Sequence, residues 1–206
     1  MNSLQLTEVI RAIGSRIEEE KDFLTELDNV IGDGDHGINM ARGFHAVDEK
    51  LKGLEEKDIG TILKTAGMAL VSTVGGASGP LYGTAFMKAG MAMAGKTDID
   101  MDGFLSCMDE AIGGVQMRGK AQQGEKTMLD AMIPAQQAMK QAACDGQDNK
   151  AILAAGVKAA KEGVEYTKTI IATKGRASYV GERSIGHQDP GATSFTDMLE
   201  VIAQRV

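Results

Sequence analysis

Apolar residues recur along most of this chain at intervals of three and four, the spacing that places them on one face of an α-helix. Eight segments have the pattern, and they cover residues 6–27, 40–51, 58–70, 80–93, 104–115, 128–139, 151–171 and 194–202. Asp58 is a suitable N-cap for the third helix, and Pro80 is suited to the first turn of the fourth. Pro134 predicts a bend or a late start in the sixth helix.

The fold class follows from this pattern, because no run of residues alternates with period two over the length of a strand. Eight amphipathic helices joined by short connections predict antiparallel neighbours in an all-α, up-and-down bundle or helical barrel. A length of 206 residues is typical of one domain with a sizeable core, so we expect residues 1–206 to form a single domain.

Charge and composition narrow the class of partner. The net charge is −7, which disfavours nucleic acid and anionic membrane surfaces as partners. No stretch approaches the roughly 20 apolar residues of a membrane span, and the N-terminus lacks a basic and then apolar signal segment. Cys107 and Cys144 have neither metal nor redox spacing, so both are expected to be buried and the chain to be cytoplasmic.

Helix order alone predicts where unusual chemistry collects. In an antiparallel array alternate connections lie at the same end, so one end holds the loops at residues 28–38, 75–80, 118–127 and 173–192. These loops are rich in glycine and charged residues, whereas the connections at the other end are ordinary polar turns. This segregation predicts a functional site at one end of the helices.

The first of these loops carries three aspartates, Asp28, Asp33 and Asp35, among glycines that allow sharp turns. Carboxylates at this density repel one another unless a cation lies between them, and hard oxygen ligands suit Mg²⁺. A metal–phosphate site is therefore one interpretation. A solvated acidic turn that caps the next helix is the other, and the loop alone does not decide between them.

The second and third loops offer groups for an anion. Glycines at residues 75–79 expose backbone N–H groups and Ser78 adds a hydroxyl, which suits phosphate at the following helix N-terminus, although a flexible hinge has the same composition. The basic third loop can wall a nucleotide or meet an acidic partner. Alternatively, Arg118 and Gly119 serve only to end the fifth helix.

The fourth loop is long for a connection in a compact domain, and long loops are usually functional or disordered. Either Arg176 or Arg183 could present a planar guanidinium to phosphate. His187 could accept a phosphoryl group or act as a general base, but a hydrogen-bonding role is the simpler interpretation. The segment 189–191, Asp-Pro-Gly, is a turn signature in its own right.

Together these loops resemble those of the nucleotide-binding L subunits of bacterial dihydroxyacetone kinases, of the type that depends on the phosphotransferase system. The matching stretches are Ile31-Gly32-Asp33-Gly34-Asp35-His36-Gly37, Val74-Gly75-Gly76-Ala77-Ser78-Gly79-Pro80-Leu81, Arg118-Gly119-Lys120-Ala121, Gly124-Glu125-Lys126-Thr127-Met128, Lys174-Gly175-Arg176-Ala177-Ser178-Tyr179 and His187-Gln188-Asp189-Pro190-Gly191. The likeness extends over essentially the whole chain, including the order of the helices.

The resemblance implies an eight-helix antiparallel barrel that holds ADP or ATP and two Mg²⁺ at one end, with Asp28, Asp33 and Asp35 as metal ligands. Arg176 is the implied catalytic residue. The implied nucleotide contacts are His36, Gly37, Ile38 and Asn39 at the start of the second helix, Ala77 and Ser78 at phosphate, Gly119 and Met128 at the base or ribose, and Arg176, Asp189, Pro190 and Gly191 around the pocket.

The implied reaction is phosphoryl transfer to dihydroxyacetone held on a separate K subunit. In one version the nucleotide is a bound coenzyme that a phosphohistidine donor protein, the M subunit, rephosphorylates. In the other version ATP enters and ADP leaves, and the acceptor could be another short ketose. The length of the chain favours the first version, because ATP-using relatives often carry both parts in one polypeptide.

Two hypotheses from other classes compete with the enzyme. The chain could bind Mg-nucleotide and report its phosphorylation state to a regulatory protein. It could also be a structural helical scaffold, but a scaffold does not require three converging carboxylates opposite two glycine-rich loops.

Overall fold

A computed structural model describes residues 1–206 and contains nine α-helices, one 3₁₀ segment and no β-strand. The helices are α1 Ser3–Glu19, α2 Lys21–Ile31, α3 His36–Leu51, α4 Ile59–Thr73, α5 Ser78–Ala92, α6 Met101–Gly119, α7 Leu129–Cys144, α8 Asn149–Thr167 and α9 Pro190–Arg205, and the 3₁₀ segment is Arg176–Ser184. The predicted all-α class is confirmed. No helix is both long enough and apolar enough to span a lipid bilayer.

The prediction of a single first helix is wrong, because the structure has two helices there, α1 and α2, which meet at Glu20. Hydrogen bonding continues across the junction: the N–H of Glu20 donates to the carbonyl of Arg16, and the N–H of Leu24 donates to the carbonyl of Glu20. The helical spacing of apolar residues in the sequence therefore continues across the junction and gives no sign of it. The consequence is a short α2 that packs mainly on α3 and also contacts α9 and the 3₁₀ segment.

From α3 to α9 each helix contacts the next, and α1 contacts both α3 and α9, so the packing order returns to its start. A single cluster of 46 buried hydrophobic residues draws members from all nine helices. The helices therefore share one core, and the loops that join them remain at its two ends.

Two helix pairs approach closely through glycine. In α4 and α5, a Cβ on Gly67 would lie 2.7 Å from the carbonyl oxygen of Gly83, which is closer than real Cβ atoms come. In α7 and α8, a Cβ on Gly163 would clash with the carbonyl oxygen of Asp130. Because glycine lacks Cβ, these backbones pack in direct contact.

Three details of the structure differ from the sequence predictions. The helix α6 ends at Gly119, but the left-handed cap is Lys120, with φ 50° and ψ 38°. The helix α8 ends at Thr167, before the predicted end at Ile171, and the following loop contains the 3₁₀ segment. Cys107 is buried as predicted, whereas Cys144 is exposed and that prediction is wrong.

Predictions were possible for two of the three prolines, Pro80 and Pro134. Pro80 lies in the first turn of α5. Pro134 lies inside α7, in the second turn after Leu129, so the predicted late start is wrong and the predicted bend stays a prediction.

Candidate functional site

A cavity of about 820 Å³ opens at one end of the helices, and residues from all four unusual loops line it. Helix order predicts this meeting of the loops. All but three of the predicted site residues line the cavity. The predicted residues that line it are Asp28, Asp33, Asp35, His36, Ala77, Ser78, Gly119, Met128, Arg176, Asp189, Pro190 and Gly191.

The remaining three, Gly37, Ile38 and Asn39, lie in the first turn of α3 but do not line the cavity. Gly37 is buried against α2, where a Cβ would clash with the carbonyl oxygen of Lys21. Ile38 points to solvent. Asn39 is buried and accepts a hydrogen bond from Arg42. Their contact with nucleotide stays a prediction.

The three aspartates converge at the cavity. Asp28, Asp33 and Asp35 each offer a carboxylate oxygen, and these atoms all lie within 4.8 Å of one another. Asp28 is fixed in place because its Oδ2 accepts from the backbone N–H groups of Asp35, at 2.9 Å, and His36, at 3.2 Å. A carboxylate that closes its own loop leaves its second oxygen and the other two carboxylates for a cation.

This donor set fits Mg²⁺, which takes oxygen ligands and keeps places for water and substrate phosphates. Asp35 is the residue before α3, yet its side chain makes no capping hydrogen bond to that helix. The alternative interpretation, an acidic turn that caps the helix, therefore does not describe Asp35. Asp33 meets the one guanidinium in the cluster, since Arg176 Nε lies 3.2 Å from Asp33 Oδ2.

Four helix N-termini point their caps at the same cavity. The residues that precede α3, α5, α7 and α9 are Asp35, Ala77, Met128 and Asp189, and all four line it. A helix N-terminus carries about half a positive charge. Side chains already accept from some of its N–H groups here, those of His36, Leu129 and Ala192. Only Asp189 caps its own helix with its side chain. The cavity thus combines backbone groups that favour an anion with carboxylates that favour a cation.

His36 is the first residue of α3, lines the cavity and is buried. Its Nδ1 lies 2.9 Å from the Ser78 hydroxyl, and its Nε2 lies 2.9 Å from the Ser194 hydroxyl. Burial lowers the pKa of His36 to about 4, although the nearby charge of Asp35 opposes the shift. The imidazole is therefore neutral and has one donor and one acceptor nitrogen.

Lys126 lines the cavity, yet its side chain is almost completely buried. Its ammonium group donates to the carbonyl oxygens of Thr167, Ser184 and His187, each at 2.6 Å. Burial lowers the pKa of Lys126, whereas the charges of nearby aspartates raise it. This lysine ties the end of α8 to the fourth loop.

Asp130 organises the same region from the first turn of α7. Its side chain is fully buried and accepts from the backbone N–H groups of Gly124 and Thr127. Asp189 is also buried: its carboxylate accepts from the N–H of Ala192, and burial raises its pKa to about 7. The third and fourth loops are therefore folded around buried charges rather than left open.

The structure distinguishes between several sequence candidates. Of the two arginines in the fourth loop, Arg176 lines the cavity and Arg183 does not. His187 is exposed, lies outside the cavity lining and contributes its carbonyl to Lys126. Arg118 lines the cavity beside Gly119, so the third loop forms part of the cavity wall as well as the end of a helix.

Sequence reasoning missed Tyr82 and Ser194 as members of the site. Tyr82 lies one turn into α5 and Ser194 one turn into α9, and their hydroxyl oxygens are 2.7 Å apart. Both sit inside amphipathic helical patterns, where they look like ordinary core positions. Only the polar character of two buried hydroxyls, each a turn from a cavity loop, could have indicated them.

Comparison with known proteins gives the chain its relatives. A family model described as the DAK2 domain matches residues 30–204. Over 204 residues the chain is 44% identical to the ADP-binding subunit DhaL of the PEP-dependent dihydroxyacetone kinase of Escherichia coli (strain K12), which covers 98% of this chain and 97% of that subunit. The corresponding subunit of kinase 2 from Listeria innocua is 43% identical over 208 residues, covering 100% of this chain and 96% of the relative.

Solved structures show the same fold. The crystal structure of the dihydroxyacetone kinase of C. freundii in its native form matches with a TM-score of 0.75 at 23% identity and covers 99% of this chain. The same kinase in complex with AMP-PNP and Mg²⁺ gives a TM-score of 0.71 at 21% identity and covers 96% of this chain. This chain spans about a third of that kinase, 34% and 33% in the two structures.

These matches confirm the family that the loop motifs indicated. They cover nearly the whole chain, and the subunits of similar length are matched from end to end. The chain therefore belongs to the DAK2 domain family, in which it groups with the L subunits of bacterial dihydroxyacetone kinases.

Proposed function

We propose that this chain is the nucleotide-holding, phosphoryl-transfer subunit of a dihydroxyacetone kinase. One observation carries the proposal: a single cavity joins three converging carboxylates to four helix N-termini. A Mg-nucleotide presents the complementary charges, cationic metal on one side and anionic phosphates on the other. The high identity to subunits named for ADP binding supports the same conclusion.

Asp28, Asp33 and Asp35 are the proposed ligands of two Mg²⁺ ions. When bound, the metal neutralises charge on the phosphate groups that take part in transfer. The contribution of the chain is to hold the carboxylates in place, which it does through the hydrogen bonds from residues 35 and 36 to Asp28. A ready-made ligand set is expected to bind without large rearrangement of the loop.

Ala77 and Ser78 are proposed to hold phosphate, since they form the N-terminus of α5 at the cavity wall. The base and ribose are proposed to lie against Gly119 and Met128. Apolar side chains continue the wall on that side and include Leu81, Val115, Ala121 and Leu129. The Asp189-Pro190-Gly191 turn is proposed to close the remaining side of the nucleotide.

Arg176 is the proposed catalytic residue. Its guanidinium reaches Asp33 and is otherwise largely exposed at the cavity. In this position it can stabilise negative charge that develops on the phosphoryl group during transfer. The chain acts by positioning and charge stabilisation, and we expect the partner subunit to activate the acceptor hydroxyl.

The partner that holds dihydroxyacetone is proposed to be a separate K subunit, and the phosphodonor a phosphohistidine protein of the M type. Relatives that are 43–44% identical to this chain are ADP-binding subunits of PEP-dependent or PTS-dependent kinases. This match favours ADP as a bound coenzyme over free exchange of ATP.

The first experiment is to denature purified protein after extensive dialysis in Mg²⁺ and to quantify the nucleotide that is released. We expect stoichiometric ADP, as a coenzyme requires. An empty site that binds ATP and Mg²⁺ reversibly would instead identify an ATP-exchanging kinase subunit. No binding of either nucleotide would overturn the proposal.

A second assay separates the enzyme from a Mg-nucleotide module that signals to a regulatory protein. The chain is mixed with K subunit, phosphohistidine donor and dihydroxyacetone, and the triose phosphate product is measured. The kinase subunit forms product at a rate that depends on its concentration. Tight nucleotide binding without product would favour the signalling module.

A further inference from the structure

A chain of polar side chains behind the cavity connects three helices. His36 on α3 contacts Ser78 on α5 and Ser194 on α9, each at 2.9 Å. Ser194 in turn contacts the phenol of Tyr82, which lies 3.0 Å from the carbonyl oxygen of Gly191. Ser78 lines the cavity, whereas Ser194 is fully buried behind it. The path therefore has an outer end at the ligand and an inner end in the core.

The Ser194 hydroxyl also lies 3.2 Å from the carbonyl oxygen of Gly191, so it has a second acceptor. The protons on this path can be arranged in two ways that differ in the tautomer of His36. Each hydroxyl has one proton, and a neutral imidazole has one N–H. In the outward arrangement Tyr82 donates to Ser194, Ser194 donates to Nε2 of His36, and the Nδ1–H of His36 donates to Ser78. In the inward arrangement Ser78 donates to Nδ1 and the Nε2–H of His36 donates to Ser194. The Ser194 hydroxyl then donates to Tyr82 or to the carbonyl of Gly191.

The two arrangements give the cavity different chemistry. In the outward arrangement Ser78 accepts from His36 and keeps its own proton for a group in the cavity. In the inward arrangement Ser78 uses that proton on His36 and presents only lone pairs to the cavity, which repel phosphate oxygens. A phosphate at Ser78 is therefore compatible with one tautomer of His36 alone.

We propose that His36 is a positioning residue that acts through Ser78: its Nδ1–H donates to the Ser78 hydroxyl, which then donates to a nucleotide phosphate. Ser194 and Tyr82 complete the path by donating toward Nε2 from behind. The inference rests on the proposed nucleotide function and adds to it a defined tautomer and the buried hydroxyls that support it.

The tautomer is measured by NMR on protein with ¹⁵N-labelled imidazole, loaded with ADP and Mg²⁺. The chain has 3 histidines, so His45→Gln and His187→Gln identify the His36 signal by elimination and leave the path intact. We expect the Nδ1–H form. In Ser78→Ala the Nδ1–H loses its acceptor while Ser194 can still accept from Nε2–H, so we expect the Nε2–H form.

Two matched substitutions test the function of the tautomer. The amide of His36→Asn can donate near the Nδ1 position, whereas that of His36→Gln reaches toward Ser194 and leaves Ser78 without its donor. We expect His36→Asn to retain ADP affinity within about threefold, and His36→Gln and Ser78→Ala each to bind at least about tenfold more weakly, since a hydrogen bond to a charged group is lost. His36→Gln combined with Ser78→Ala should bind no more weakly than Ser78→Ala alone.

The results separate this inference from the proposed function. Wild-type protein that binds ADP and Mg²⁺ but shows His36 in the Nε2–H form would overturn the tautomer and leave the kinase proposal standing. Equal losses in His36→Asn and His36→Gln, or additive losses in the double variant, would reduce His36 to a structural role. Wild-type protein that binds no nucleotide would overturn both.

Discussion

Arg176 Nε lies 3.2 Å from Asp33 Oδ2, so the proposed catalytic cation pairs with a proposed metal ligand. The pair is largely exposed, and such pairs contribute about 0–1 kcal/mol. It orients the guanidinium toward the carboxylate cluster without holding it firmly. A side chain held in this way remains free to move to a phosphoryl group when the site is filled.

The first prediction concerns Arg176. We expect Arg176→Gln to lower the rate of phosphoryl transfer by about 100-fold or more, because charge stabilisation in the transition state is lost. The affinity for Mg²⁺ and ADP should change by no more than about fivefold, because one exposed ion pair contributes at most about 1 kcal/mol. Single-turnover kinetics and calorimetry measure the two quantities. Arg183→Gln, in the same 3₁₀ segment but outside the cavity, is the control, and equal losses of rate and affinity in Arg176→Gln would indicate a simple binding role.

The second prediction tests the metal site. Asp35→Asn should weaken ADP binding in Mg²⁺ by more than about 100-fold, since loss of outer-shell partners alone weakens metal affinity by about 10–100-fold. The far-UV circular dichroism should remain helical, because the Asp35 side chain makes no cap bond to α3. Asp102→Asn, an exposed carboxylate in the first turn of α6, should bind normally. Normal nucleotide retention in Asp35→Asn would contradict the metal assignment.

The third prediction concerns the buried lysine. Lys126→Met should lower the free energy of unfolding by about 2 kcal/mol or more, because the buried carbonyl groups of Thr167 and Ser184 lose their donor and each costs about 1–3 kcal/mol when unpaired. Urea unfolding measures the change. Lys120→Met is a matched control, since Lys120 is also left-handed, with φ 50° against 60° at Lys126, but is exposed. Equal effects of the two substitutions would mean that the carbonyl contacts contribute nothing.

The fourth prediction concerns helix contact. Gly163→Ala should destabilise the fold by about 1–3 kcal/mol, because the new methyl group meets the backbone of α7 and cannot be accommodated by a side-chain movement. Gly113→Ala in α6 should stabilise the fold by about 0.5–1 kcal/mol, since a Cβ there meets nothing within 4 Å. Thermal unfolding of both variants measures the contrast. A tolerated alanine at residue 163 would show that α7 and α8 can separate.

The fifth prediction is a pH dependence. Burial lowers the pKa of His36 from 6.5 to about 4 in the folded protein. Above pH 6.5 the imidazole is neutral in both the folded and the unfolded protein. Between pH 6.5 and about 4 only the unfolded protein gains a proton on this ring. Stability is therefore lost on acidification, by about 2 kcal/mol between about pH 7.5 and pH 5. Urea unfolding of wild-type protein and His36→Gln should differ in pH slope by this amount. His45→Gln reports the effect of removing an exposed ring from the same helix, and parallel slopes for wild type and His36→Gln would contradict the prediction.

Much of the fold and the place of the site could be predicted from the sequence. The apolar period indicated every long helix, and alternation of the helices placed the four unusual loops at one end, where the cavity lies. Asp28, Asp33 and Asp35 are within eight residues of one another, so local geometry alone brings them near. Loop composition and helix order depend only on residues that are near one another in the chain, so they can be read directly from the sequence.

Other features depend on contacts between distant residues. His36 and Ser194 are separated by 158 positions, and nothing in either segment indicates that their side chains meet. Lys126 looks like a ligand-facing cation, but three carbonyl groups from 41 to 61 residues away bind its ammonium group instead.

The sequence by itself determined the helical class, the end that carries the site and the acidic cluster. Only the tertiary structure decided which polar groups line the cavity and which support it from behind, as Ser78 and Ser194 show. The physical reason is that a buried donor or acceptor must find a partner, and the partner is set by the packing of helices rather than by neighbours in the chain.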